Sequence, residues 1–419
     1  MPTTQSAAKT KPADLAILGG SPAFSEPLHV GRPNVGDWDS FLRRMRDIWD
    51  RRWFTNNGLY VREFEQKLAG VLGVKHCIPV CNGTVAMELA IRALGLRGEV
   101  IVPSFTFIAT AHALQWQEIT PVFCDIDRSS HNLDPKRVEQ MITPRTTGII
   151  GVHLWGRPCD VEALSALARR HHLKLLYDAA HAFGCTCRGR MMGNFGEAEV
   201  FSFHATKFFN TFEGGAVATN DDTLASKIRL MKNFGFQGYD NVIYIGTNGK
   251  MTEISAAMGL TGLENLEESI SVNRRNYCAY KRGLGDLPGL KMITYDEGER
   301  SNFQYVALEV DEGEAGIGRD QLLALLHAEN VLARRYFFPG CHRMEPYRSL
   351  FPHAGLLLPE TERLARRILS LPNGASVNTA DIETICSLIR FAVKHGGDIR
   401  RELSTRDASR PSQDTSFHG

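Results

Sequence analysis

Residues 201–219 read FSFHATKFFNTFEGGAVAT. Two apolar, β-rich runs, 199–203 and 215–219, bracket a lysine, Lys207, and the glycine pair Gly214 and Gly215. Strands that are apolar throughout belong in a sheet covered on both faces, and ligands bind at the strand ends of such sheets. Runs of the same kind lie upstream at 99–103 (EVIVP), 121–127 (PVFCDID), 147–153 (TGIIGVH) and 173–180 (LKLLYDAA). Helical spacing separates them. Residues 84–94 place Val85, Leu89 and Ala90 together, and 161–171 do the same with Leu164, Leu167 and Ala168 behind a capping Asp160. This alternation predicts an α/β fold around a mostly parallel sheet.

From about Asn273 the rhythm changes to helix, a strand at 303–310, a helix at 319–329, a Pro/Gly/His-rich loop at 338–346 and a last helix at 379–395. Fewer strands predict a smaller α+β domain, with the N-terminal segment packing back on it. The expected layout is a mobile N-terminus at 1–13, a large domain at 14–272, a small domain at 273–398 and a mobile, polar tail at 399–419. The 48 basic and 47 acidic residues of the 419 leave a formal charge of +1, which offers nucleic acid and anionic membranes no general attraction. No apolar run approaches the roughly 20 residues of a membrane helix, and the opening residues lack a signal-peptide core. Nine scattered cysteines fit free thiols in a reducing compartment, so the expectation is a soluble, cytoplasmic protein without a metal site.

The chemistry starts from Lys207. A lone lysine is ordinarily a solvated charge, but aromatic flanks make a dry pocket that depresses an amine pKa, and Gly214 and Gly215 permit close backbone approach or positive φ. Lys207 is therefore a candidate Schiff-base lysine. Upstream, LLYDAAHAFG at 175–184 ends a strand in Asp178. Such an Asp commonly caps a turn; paired with Lys207 it gains a specific task, holding the protonated pyridine nitrogen of pyridoxal phosphate. CNGTVAME at 81–88 is either a common turn or a phosphate cradle at a helix start, with Gly83 clearing the approach, Thr84 leading in and Ser202 adding a hydroxyl. Neither a P-loop nor a dinucleotide fingerprint is present. PSFTFIATA at 103–111 presents Phe107 as a stacking surface for a flat ring.

Together, NGT at 82–84, PSFTFIAT at 103–110, DAAHAFG at 178–184, SFHATK at 202–207 with EGG at 213–215, and GTNGKMTEISAAMGL at 246–260 resemble the DegT/StrS group of pyridoxal-phosphate aminotransferases, which act on nucleotide-linked keto sugars. The resemblance runs in order from about Leu18 to about Lys394. It implies the fold type I of these transferases, a mostly parallel seven-stranded sheet, and a homodimer with shared active sites. It makes Lys207 the cofactor-bound lysine, Asp178 the ring-nitrogen partner, His181 the partner of the cofactor's 3-oxygen, Gly83, Thr84 and Ser202 phosphate contacts, and Phe107 the stacking aromatic. Asn248, with Lys250 as substitute, would reach the partner subunit's cofactor phosphate. WFTNNGLY at 53–60, with Thr55 and Asn57, and ARRYFFP at 333–339, with Arg334 or Arg335, Tyr336 and beyond them His342, match segments facing the substrate. The implied reaction takes an amino group from L-glutamate, passes through pyridoxamine 5'-phosphate and aminates a dTDP-linked 4-keto-6-deoxyhexose. A cyclitol ketone as acceptor and a non-catalytic regulator with this fold are the alternatives. A dehydratase branch carries His in place of the lysine; Lys207 argues for transamination.

Overall fold

The computed structural model describes residues 9–409. Seven strands form the central sheet: β1 (His76–Val80), β2 (Glu99–Pro103), β3 (Thr120–Cys124), β4 (Thr146–Val152), β5 (Lys174–Asp178), β6 (Ala198–Ser202) and β7 (Gly215–Thr219), in the order β1-β7-β6-β5-β4-β2-β3. Only β7 runs antiparallel to its neighbours. The strands read from sequence are present with trimmed ends, and the sheet has one more, β1. Its sequence HCIPV hides it, since Pro79 lacks an N–H; β1 is an edge strand, where a missing donor costs least.

Successive residues serve opposite faces of the sheet. Ile101, Ile149, Leu175, Tyr177 and Phe201 join one core, and Val100, Val102, Ile150, Leu176 and Val200 join the other. Helices α1 (Trp38–Arg51), α2 (Leu59–Leu72), α3 (Gly83–Leu94), α4 (Ala109–Gln115) and α5 (Val161–Arg170) connect or flank these strands. Phe64, Leu68 and Leu72 of α2 and Leu164 and Leu167 of α5 cover the first face; Ala86, Leu89 and Ala90 of α3 cover the second. The side chain of Asp160 accepts from Ala163 N–H and caps α5.

A third core belongs to the C-terminal region, where β8 (Leu290–Met292), β9 (Val306–Val310) and β10 (Ile368–Leu371) form an antiparallel sheet against α6 (Leu266–Leu284), α7 (Arg319–Ala328) and α8 (Thr379–Lys394). Leu15, Leu18, Phe24 and Leu28 are buried in this core. Leu28 and His29 pair in parallel with Val331 and Leu332, and both carboxylate oxygens of buried Glu329 accept backbone N–H groups, from Ala16 and Ala23, at 2.7 Å each. This placement corrects the expectation of a loose N-terminus for residues 9–13: Lys9 is paired with Glu329 at 3.1 Å, and the side chain of Asp14 accepts from the backbone N–H groups of Thr10 and Lys11. The polar tail is likewise corrected over 399–409. A helix, Gly396–Ser409, follows the one expected to be last, and Ile399 near its start is buried. Residues 1–8 and 410–419 of those two expected segments lie outside the described residues.

Candidate active site

The register of β7 locates the site. Gly215 stands opposite Val80 of β1 on one side and Ser202 of β6 on the other, so the segments leaving this row converge. The approach is close enough to require glycine: a Cβ on Gly215 would lie 2.6 Å from the Asn82 carbonyl carbon, and one on Gly83 2.9 Å from Ser202 Cβ. Neither Gly214 nor Gly215 has positive φ, which leaves close approach as their role. Asn82 caps α3 by accepting Val85 N–H at 2.8 Å. The N–H groups of Gly83 and Thr84 have no partner within the helix, and with Ser202 they border the cavity as an anion cradle.

One row further into the sheet, Asp178 ends β5 beside Val152 and Val200. Thr110 of α4 donates to its Oδ2 at 2.8 Å and Ala180 N–H to its Oδ1 at 3.1 Å. Lys207 leaves β6 through a turn in which its N–H donates to the His204 carbonyl at 2.8 Å. Burial pushes the Lys207 amine down to about 8, against the opposing pull of Asp178. His181 is buried, and its Nδ1 accepts the Trp155 backbone N–H at 3.3 Å. A neutral ring so held carries its proton on Nε2. Burial, then the Lys207 charge, holds this imidazole's pKa well below its ordinary value. Its ring stacks on Phe337 with centroids 5.7 Å apart, while Phe107, more than half exposed, offers an open aromatic face.

A cavity of about 540 Å³ unites these groups: Gly83, Thr84, Phe107, Asp178, His181, Ser202, Lys207 and Tyr336 all line it. The arrangement suits a flat heteroaromatic ring with an anionic arm, its ring nitrogen toward Asp178 and a reactive carbon within reach of an amine. Among the described residues, no group of three His, Cys, Asp or Glu side chains is placed to hold a metal ion, and no helix is long and apolar enough to cross a membrane.

The remaining expected residues lie elsewhere. Lys250 donates to Asn233 at 3.1 Å and, with Asn57, borders a separate cleft of about 470 Å³. Asn248 is exposed and Thr55 half-buried, outside the lining of both cavities. Arg334 lies over the Tyr336 ring, and Arg335 pairs with Asp320 at 3.0 Å. The expected substrate contact of His342 is corrected. It is buried, with Nδ1 on Ser104 Oγ at 2.7 Å, which joins it to the end of β2, and Nε2 on Glu362 of its own C-terminal region at 2.9 Å, so both nitrogens are engaged.

Sequence reasoning also missed wall residues. Thr106 and Thr110 were legible in PSFTFIAT as hydroxyls four apart, but Tyr305 and Phe337 reach the cavity from distant segments and leave no local signal. His204 and Glu213, 3.5 Å apart, flank Lys207 at the cavity wall.

The model of the DegT/DnrJ/EryC1/StrS aminotransferase family matches residues 37–390. A dTDP-4-amino-4,6-dideoxy-D-glucose transaminase of Shigella dysenteriae is 38% identical over 367 residues, which span 88% of this chain and 99% of that protein. The GDP-perosamine synthase of Caulobacter vibrioides is 37% identical over 353 residues, 82% of this chain and 92% of that protein. Among solved structures, DesI, determined in the presence of its TDP-sugar product, matches with a TM-score of 0.90 at 49% identity, covering 95% of this chain and 100% of that one.

Proposed function

Because the chain belongs to the DegT/DnrJ/EryC1/StrS aminotransferase family, we propose that it binds pyridoxal 5'-phosphate and transfers the amino group of L-glutamate to a dTDP-linked 4-keto-6-deoxyhexose. The observation that carries this reading is the meeting, in one cavity, of the Lys207 amine, the Asp178 carboxylate and an anion cradle. The cofactor fits: at Gly83 and Gly215 a Cβ would close the approach of α3 to β6 and β7, so the cradle exists only because those positions are glycine. The acceptor follows from relatives named for dTDP-amino and TDP-sugar chemistry.

Bound there, pyridoxal phosphate supplies a carbonyl that condenses with amines and a ring that withdraws electrons from the donor's Cα–H bond. The residues do the rest. Gly83, Thr84 and Ser202 would hold the phosphate, Asp178 would accept the ring N–H, His181 would donate from Nε2 to the 3-oxygen, and Phe107 would stack on the ring. Lys207 would hold the cofactor's carbonyl carbon at rest, and its amine, when free, would carry a proton between the donor Cα and the cofactor C4′. Desolvation favours the neutral amine that this needs.

The same reading includes a homodimer with shared sites. The exposed aromatics Trp38, Trp49, Trp53 and Phe54, and the cleft bordered by Asn57 and Lys250, support it, since so much apolar surface on one stretch marks an interface. It also includes residues 14–272 as the cofactor domain, 273–398 as the small domain, and a cytoplasmic setting consistent with nine free thiols. The test is turnover of dTDP-4-keto-6-deoxyglucose with L-glutamate, followed by release of 2-oxoglutarate. Faster turnover of the GDP-linked ketone or of a keto-inositol would reject the acceptor assignment. Borohydride should fix the cofactor on Lys207, and Lys207→Ala should lose both that adduct and turnover; a normally active variant sinks the mechanism.

A further inference from the structure

We propose that Thr106 and Thr110 form a directed hydroxyl relay that positions Asp178 against the cofactor ring; this rests on the cofactor reading above. Thr110 Oγ1 lies 2.8 Å from Asp178 Oδ2, and Thr106 Oγ1 lies 3.2 Å from Thr110 Oγ1. An ionised carboxylate only accepts, so the single hydroxyl hydrogen of Thr110 is committed to Asp178. Thr106 must then donate to Thr110. The direction of both hydrogen bonds is thus forced by the charge at one end. Both threonines are about 1–2% exposed, so water does not compete for these bonds.

The relay has a fixed base. Two residues before Thr106, the Ser104 carbonyl accepts Cys341 N–H at 2.9 Å, and the Thr106 carbonyl faces Cys341 Sγ at 3.5 Å. Small-domain loop and β2 end therefore hold Thr106 in place, Thr106 orients Thr110, and Thr110 with Ala180 N–H anchors both oxygens of Asp178. The carboxylate cannot turn about its last bond without breaking one of these. It presents its remaining lone pairs to the cavity in one orientation, the one a ring N–H has to meet.

Thr110→Val keeps the shape and removes only the donor; Thr110→Ser keeps the donor. In the holoenzyme, Thr110→Val should weaken pyridoxal phosphate binding about ten- to hundredfold, the worth of one hydrogen bond to a charged group. It should also shift the midpoint of the cofactor's absorbance titration with pH, while the apoprotein melts near the wild-type temperature. Thr110→Ser should restore both properties. Unchanged binding and titration in Thr110→Val, a serine variant that behaves like valine, or a lower apoprotein Tm as the sole effect would each overturn the relay and leave the cofactor reading intact. A wild-type chain that takes up no pyridoxal phosphate would overturn both.

Discussion

At the scale of single residues, Lys207 shows how burial prepares a reagent. Its ordinary pKa is 10.5, and desolvation brings it down to about 8, so the neutral amine dominates above that pH. Combination of the apoprotein with pyridoxal phosphate, followed by stopped-flow absorbance, should accelerate with pH and level off above about 8. A rate still climbing at pH 10 would contradict a desolvated Lys207. Lys207 and Asp178 drew attention because Asp178 ends one apolar strand and Lys207 follows another through a short turn, and strand ends in a two-sided sheet point to a site. His342 was misread for a different reason. It was placed at the substrate by its position beyond ARRYFFP, yet Ser104 and Glu362 enclose it from segments 238 and 20 residues away. Local sequence carries no trace of either partner.

At the scale of elements, the site depends on how tightly α3 meets β6 and β7. Gly215→Ala sets a methyl 2.6 Å from the Asn82 carbonyl carbon and 2.7 Å from the Gly83 nitrogen, both backbone atoms that cannot swing aside. The helix start must retreat, at a cost of about 1–3 kcal/mol of stability by the usual penalty for overpacking. The expected outcome is a lower apoprotein Tm together with weakened uptake of pyridoxal phosphate, because the displaced N–H groups are those of the cradle. Unchanged affinity would separate the cradle from this contact. The interior strands were readable from composition, since each feeds two cores and is largely apolar. β1 was not, because an edge strand tolerates the proline that argues against it. The helix Gly396–Ser409 escaped for the opposite reason: with Ile399 as its buried anchor, it shows no apolar stripe.

At the scale of the whole molecule, the two regions are joined by charged contacts as well as apolar ones. Glu309 of β9 takes His131 Nε2 at 2.9 Å and Arg363 at 2.8 Å, and His131 belongs to the segment that follows β3. Burial alone would raise the Glu309 pKa; the hydrogen bonds from His131 and Arg363 outweigh it and bring it from 4.5 to about 2. A depressed carboxylate stabilises the fold above its unfolded pKa and loses that contribution as pH falls from 4.5 towards 2. Urea titrations should find Glu309→Gln less stable than wild type by about 2–3 kcal/mol at pH 7, with the gap narrowing below pH 4.5 and closing near pH 2. A gap independent of pH would mean that the glutamate acts by packing alone. The N-terminal segment binds the same region differently, through Glu329 and the pairing of Leu28 with Val331. Ala23 is separated from Glu329 by 306 positions. At the roughly 5–20 residues per second of ribosomal synthesis, Leu15 and Phe24 emerge tens of seconds before the residues that cover them. A segment made before the central sheet is therefore placed after it, and the sheet, whose strands are complete by Thr219, has time to assemble while that segment waits.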